Sequence, residues 1–384
     1  MSGQKTNTGS GIFDWQFERP DMRYGYNADT QWGGFSRDAE LRSRPAPEWA
    51  LLPFEKYGGN PVFAPDKESW DCGRYGGGVH NGALVKRGGE IYYIYRGEFR
   101  TPDDDRLAAQ RATGINYHCD IGTAVLRRKT IADGEKMYFE RVAGPFFRHG
   151  EDFIYSFEDV CCVDAGESVS HPRYCIYLNR WDWARMNDPS VSGIICCTSD
   201  DLIHWENHGL LFPDAGRIHR NPCVLQDADN RPVKDMSGRY VMYINNGLIA
   251  FSHDLMHWES EETGYDWPGG EGCFALSRGE DIILFTGGNH SGHFYAVGEV
   301  LFSRENPKKP LDYLQNPVLT SDPAIPWEDG RLADPPHDYC SEFSDTIFFT
   351  GMTRSGDRLY VSYGGSEYYT CLATIKYNEK EKEK

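Results

Sequence analysis

Two adjacent carboxylates, Glu158-Asp159, stand immediately before the apolar run Val160-Cys161-Cys162-Val163, and a third, Glu271, lies in the glycine-rich stretch Gly269-Gly270-Glu271-Gly272. Such groups suit glycosidic cleavage: one carboxylic acid protonates the leaving oxygen, and in an inverting hydrolase a second carboxylate activates water. Other polar residues accompany apolar runs elsewhere: His80-Asn81 before Gly82-Ala83-Leu84, Arg96 after Tyr95, Arg217-Ile218-His219-Arg220-Asn221-Pro222, and Tyr363-Gly364-Gly365-Ser366-Glu367. Carboxylates and amides bind hydroxyls, and aromatic faces stack on sugar rings, so the set fits a carbohydrate. The plainer reading makes Glu158-Asp159 a loop cap and Arg96, Tyr363 and Glu367 polar ties between strands.

The elements that must position these residues are short strands. Glu90 to Tyr95 (EIYYIY), Tyr174 to Leu178 (YCIYL), Arg239 to Ile244 (RYVMYI), Asp281 to Phe285 (DIILF) and Arg358 to Tyr363 (RLYVSY) are rich in β-branched and aromatic side chains and have the length of one strand. Hairpin-like signals precede two of them, Lys86-Arg87-Gly88-Gly89 and Arg354-Ser355-Gly356-Asp357. The pattern S-x-D-L-x-H-W-E occurs at Ser199 to Glu206 and again at Ser252 to Glu259, and Asn60-Pro61-Val62 near one end is matched by Asn316-Pro317-Val318 near the other. Repeats of this size in a β-rich chain indicate blades. About 320 residues over five units leaves roughly 60 to 65 each, enough for four strands and their loops. The expected fold is all-β, a five-bladed β-propeller over residues 59–377, with an extension (1–58) packed on its outside and a polar tail (378–384). The repeated Trp then wedges between neighbouring sheets and reports fold rather than chemistry. In a propeller the pocket belongs at the mouth of the central channel, lined from the inner strands.

Composition narrows the partners. Against 58 Asp+Glu there are 40 Lys+Arg, a formal charge of −18, which argues against nucleic acid because phosphate neutralisation needs a basic face. No run of about 18 apolar residues is present to span a membrane, and the opening residues lack a signal-peptide core. A soluble, cytoplasmic protein is expected. The 11 Cys form no C-x-x-C pair and sit in apolar runs, as buried thiols in a reducing compartment would, rather than as zinc ligands or disulfides. His290-Ser291-Gly292-His293 lacks a carboxylate in register and reads as loop donors, not a metal site.

From about Trp49 to Tyr377 the chain resembles glycoside hydrolase family 130, five-bladed propellers that include β-mannoside phosphorylases and β-1,2-mannosidases. The residues carrying the resemblance are Pro53-Phe54 with Asn60-Pro61-Val62; His80-Asn81-Gly82-Ala83 with Tyr95-Arg96; Ile121-Gly122-Thr123-Ala124; Glu158-Asp159; the Ser199 to Trp205 turn; Asn306-Pro307 with Asn316-Pro317-Val318-Leu319; and Val361 to Glu367. The family's acid is the Asp of a Glu-Asp-Pro-Arg motif, so the resemblance implies that Asp159 protonates the glycosidic oxygen, directly or through a sugar hydroxyl. Here Val160-Cys161 replaces Pro-Arg, and Glu367 stands where the family has Asp, a reach longer by one methylene.

Phosphorolysis needs cations or N–H donors around a phosphate. The family's phosphorylases carry a Lys before the third-blade strand, a His-Arg after it and a Tyr-His-Gly in the fourth blade. The matching places here are Arg220-Asn221, Ile244-Asn245 and Phe285-Thr286-Gly287, so two of the three basic signatures are missing, although Arg217, His219 and Arg220 could still form a clamp. Glu271 stands in a stretch that is glycine-rich in the phosphorylases, and an anion there repels phosphate. The expectation is an inverting, exo-acting hydrolase of β-mannosides or related oligosaccharides, with Asp159 as acid and Glu271 as base. Asn81, Arg96, Glu158, Arg220, Asn221, Tyr363 and Glu367 are the expected binding residues, with no metal and no cofactor. The alternatives are a phosphorylase using inorganic phosphate as co-substrate to release mannose 1-phosphate, and a non-catalytic sugar-binding propeller. The sequence does not specify the linkage or the oligomeric state.

Overall fold

The computed structural model describes residues 47–377, apart from 73–75, 101–106, 116, 133, 149–153, 167–171, 246, 266–270, 291–293, 315–316, 323 and 329–345. The tail 378–384 and most of the expected extension 1–58 lie outside the described residues, as do Asn316 and most of the His290 to His293 loop.

Gly, Asn and Asp turns fold the apolar runs into antiparallel four-stranded blades. The first strand, β1 (Glu55–Lys56), is the outermost of the last blade. Blade one is β2 (Gly77–Arg87), β3 (Glu90–Arg100), β4 (Tyr117–Ile131) and β5 (Gly134–Ala143); blade two is β6 (Ser156–Asp164), β7 (Tyr174–Trp181), β8 (Gly193–Ser199) and β9 (Glu206–Leu210). Blade three is β10 (Cys223–Gln226), β11 (Tyr240–Ile244), β12 (Leu248–Ser252) and β13 (Trp258–Glu262). Blade four is β14 (Glu271–Arg278), β15 (Asp281–His290), β16 (Phe294–Ser303) and β17 (Asp312–Tyr313). The innermost strands of blades three and four also pair with each other in parallel, Leu225 opposite Ala275 and Gln226 opposite Leu276. Blade five is β18 (Ile347–Ser355), β19 (Arg358–Gly365), β20 (Tyr369–Lys376) and then β1, which pairs antiparallel with β20 through Glu55–Thr374 and Lys56–Ala373. The described strands therefore form the expected five-bladed propeller, closed by a strand from the N-terminal side.

The closing strand lies within the expected extension 1–58, of which residues 47–58 are described. Residues from Trp49 onward are built into the ring: the Trp49 indole donates to Asp312 Oδ2 at 3.1 Å, and the Leu51 N–H to Glu299 Oε2 at 3.0 Å.

Middle strands are buried on both faces because a neighbouring blade covers each face. β8, Gly-Ile-Ile-Cys-Cys-Thr-Ser, is buried throughout, which is why it reads as a continuous apolar run instead of an alternating one. The ten cysteines among the described residues are all buried. Outer strands such as β13 (Trp-Glu-Ser-Glu-Glu) are mostly exposed and polar.

Candidate active site

The inner strands do not run regularly past the channel mouth. The register shifts between His80 and Ala83 in β2, between Glu158 and Cys161 in β6 and between Gly272 and Phe274 in β14. In the first two of these irregularities stand Asn81 (φ +47°) and Asp159 (φ +53°), and Asn221 (φ +57°) takes a comparable place two residues ahead of β10. Asn and Asp are the non-glycine residues that best tolerate this left-handed backbone, and a bulge re-aims the side chain it carries. Glu271 opens β14, and Glu367 sits at φ +55° in the hairpin between β19 and β20. A Glu in that region costs conformational energy that the surrounding structure must hold in place, a feature that clusters at functional sites.

These elements converge on a pocket of about 230 Å³. Asn81, Arg96, Glu158, Asp159, Arg220, Asn221, Glu271 and Glu367 all line it. Tyr363 does not: it is 1% exposed within the apolar core, where its hydroxyl donates to Glu328 Oε1 at 2.8 Å and accepts from Asn60 Nδ2 at 3.2 Å. Successive residues of a strand point to opposite faces. The next position, Gly364, is the one turned toward the site, since a Cβ there would lie 3.0 Å from Asn81 Oδ1. Tyr363 is a structural tie rather than a sugar-binding residue.

The sequence reading missed Tyr117, Asn179, Trp181, Trp183, Met186, Tyr295 and Phe348, which also line the pocket. Asn179 and Trp181 end β7, a second strand rather than an inner one. The available signal was an Asn-Arg-Trp-Asp-Trp sequence following the apolar run YCIYL. Trp181 and Trp183 stack with ring centroids 5.5 Å apart, and Tyr117 meets Trp183 edge-on, forming an aromatic wall on the blade-two side.

Charge in the pocket is concentrated and nearly desolvated. Arg96, 4% exposed, lies 3.1 Å from Glu158 Oε1, 3.3 Å from Glu98 Oε2 and 3.9 Å from Glu367 Oε2. Glu158 also accepts the Trp181 indole N–H at 2.9 Å. Asp159 accepts from Asn179 Nδ2 at 3.0 Å on Oδ2 and from Asn81 Nδ2 at 3.4 Å on Oδ1. Arg220 Nη2 approaches Glu271 Oε1 at 3.4 Å. Burial, reinforced by the Glu158 charge, pushes the Asp159 carboxyl up to about 6 against the opposing pull of Arg96 and Arg220. Burial likewise raises Glu271 to about 7, with Arg220 opposing and Asp159 and Glu367 adding to the rise. Glu367 rises to about 7 by burial, opposed by Arg96, and Glu158 is raised by burial as well. Carboxyls that exchange protons near neutrality, facing one small pocket, can perform general acid and base chemistry.

The cations expected for a phosphate clamp do not assemble there. Arg217 pairs with Glu262 at 3.1 Å, and His219 sits between the Arg217 carbonyl and the Ser260 hydroxyl, stacked on Phe212; only Arg220 of the three lines the pocket. Among the described residues, no group of three or more His, Cys, Asp or Glu side chains is arranged to hold a metal ion.

No protein-family model matches the chain, and no curated protein sequence matches it. Solved structures do. One, described as showing that the GH130 family of mannoside phosphorylases contains glycoside hydrolases targeting β-1,2-mannosidic linkages in Candida mannan, superposes with a TM-score of 0.62 at 20% identity, over 86% of this chain and 96% of the other. A glycosyl hydrolase from Bacteroides ovatus gives 0.63 at 21% identity, over 86% and 96%. A β-1,2-mannobiose phosphorylase from Listeria innocua, in complex with β-1,2-mannobiose, gives 0.59 at 17% identity, over 85% and 97%. At these identities what is shared is the fold, and at that level the resemblance read from the motifs is borne out.

Proposed function

We propose that this propeller is a carbohydrate-active enzyme of the family-130 type and, within that type, an inverting exo-acting hydrolase of β-mannosides. In the proposed reaction Glu271 accepts a proton from water, the hydroxide attacks the anomeric carbon, the glycosidic bond breaks, and Asp159 gives its proton to the leaving oxygen. Asn81, Arg96, Asn221 and Glu367 hold the sugar hydroxyls. The observation that carries the choice of hydrolysis is the pairing of Arg220 with Glu271 at 3.4 Å. The pocket's second arginine already faces a carboxylate, as Arg96 faces three, so a phosphate dianion entering here meets more negative than positive charge.

The test is incubation with β-linked mannobioses, with and without inorganic phosphate, following products by NMR. Phosphate-independent release of mannose, first as the α-anomer, is the expected result. Mannose 1-phosphate formed only with phosphate present would establish the phosphorylase instead. Retained binding without turnover would leave a sugar-binding propeller.

A further inference from the structure

Asn179 occupies the end of β7, where it pairs with Glu158 across the blade, and it is 1% exposed. Its side-chain amide is oriented by chemistry that allows one solution. The backbone N–H of Asn221, arriving from the next blade, approaches Asn179 Oδ1 at 2.8 Å, and a backbone N–H can only donate. The amide oxygen is therefore committed to Asn221, and Nδ2, a donor only, is turned toward Asp159 Oδ2 at 3.0 Å. The other Asp159 oxygen, Oδ1, is held more loosely, by Asn81 Nδ2 at 3.4 Å, and that amide is shared with Glu367 Oε1 at 3.5 Å.

We infer that Asn179 is the positioning residue of the acid: its amide makes Oδ2 of Asp159 a permanent acceptor, so that the proton given to the leaving group resides on Oδ1. A donor bonded to a carboxylate favours the ionised form, so the same contact also holds down the proton affinity of Asp159. The groups facing Asp159 act in both directions. Glu158 adjoins it in β6, Glu271 and the Cys273 thiol face it from β14, Tyr295 from β16 and Glu367 from the β19–β20 hairpin; all of these oppose its ionisation, Cys273 and Tyr295 doing so when charged. Arg96 from β3 and Arg220 ahead of β10 favour it, together with Asn81. Asn179 is the neutral donor among them whose direction is fixed by a backbone N–H from the next blade. This inference rests on the reading of Asp159 as the acid, but its physical content is measurable without turnover.

The experiment is a pH titration of the Asp159 carboxyl by 13C NMR in aspartate-labelled protein, the resonance being assigned by its loss in Asp159→Asn. Asn179→Leu removes the donor without adding charge, and Asn179→Ala does the same with a smaller side chain should the Leu variant fail to fold. The Asp159 midpoint is expected to rise by about one pH unit in either variant, and the optimum of kcat/KM on a cleaved mannoside to move to higher pH. An unmoved Asp159 midpoint in a folded variant overturns the inference whether or not the protein turns over a mannoside. A raised midpoint in a protein that cleaves nothing upholds the positioning role and defeats the reading of the function.

Discussion

In water an Asp and a Glu lose their protons near pH 4, whereas Asp159 and Glu271 hold theirs to about 6 and about 7. The sign of the pH dependence follows. Below about 6 both carboxyls are protonated and no base is available; above about 7 both are ionised and no acid is available. The singly protonated pair is most abundant between, its proton mainly on Glu271; the productive arrangement, with Asp159 protonated and Glu271 ionised, is roughly a tenth of that form and rises and falls with it. kcat/KM should therefore trace a narrow bell centred between those values, sharpened by Glu367, which titrates over the same range. A steady-state profile from pH 4 to 9 checks this, and a flat profile across pH 5 to 8 would refute it. Asp159→Asn should lower turnover by a factor of roughly 10² or more, and azide should restore part of the rate lost in Glu271→Gln. Asp159 was legible in the sequence because a left-handed backbone at a strand's mouth favours Asn or Asp, and such a residue stands out before an apolar run. Asn179 was not legible: its importance comes from a backbone N–H supplied by another blade, which leaves no mark beside Asn179 itself. Tyr363 misled for a related reason. A polar tip on a strand near the site suggests binding, and only the strand's phase shows which face it occupies.

The repeated S-x-D-L-x-H-W-E turns show how one element can fix the relation of two blades. In each, Ser and Asp side chains accept the turn's own N–H groups and force a Leu into the left-handed region, Leu202 at φ +65° and Leu255 at φ +69°. The carbonyl thus exposed is taken by the preceding blade: Thr123 of blade one donates to Leu202 O, and Tyr177 of blade two to Leu255 O, each at 2.6 Å. Trp258 packs edge-on against Tyr177, so one of the repeated tryptophans fills the seam between blades as expected, with Leu255 buried beside it. Leu255→Ala removes that packing and should cost about 2–5 kcal/mol, measured as a lower urea midpoint. Binding of an uncleaved mannoside should persist under native conditions, because the turn does not line the pocket. Loss of binding in the folded variant would instead tie the turn to the site. The apolar runs of the middle strands identified themselves, but β13 and the two-residue β17 and β1 are too polar or too short to do so. Their pairing is dictated by the blade already formed.

At the scale of the whole ring, closure depends on a small polar knot between the chain's two ends. Asn60 donates from Nδ2 to Leu372 O at 2.9 Å and to the Tyr363 hydroxyl, and its Oδ1 accepts the Leu372 N–H at 2.8 Å. Tyr363 in turn donates to the fully buried Glu328, which also accepts Lys56 Nζ at 2.6 Å and the Asp322 N–H at 2.8 Å. The sequence repeat that links Asn60-Pro61-Val62 to the far end of the chain therefore acquires a physical meaning in part: Asn60 pairs the backbone of β20, the strand on which β1 closes the ring. Asn60→Ala leaves the buried N–H of Leu372 without its partner, the Leu372 carbonyl keeping the Tyr57 N–H, and should cost about 1–3 kcal/mol. If the ring unfolds as one unit, urea denaturation followed by tryptophan fluorescence and by far-ultraviolet circular dichroism will shift to a lower midpoint with an unchanged slope, and the two probes will coincide. Should closure be merely local, the variant will instead show two separated transitions, the last blade melting first and the others holding. The coincident outcome is expected because blade five packs β18 against β2 of blade one on one side and β14 of blade four on the other. Freeing β20 from its N-terminal partner then loosens both seams together.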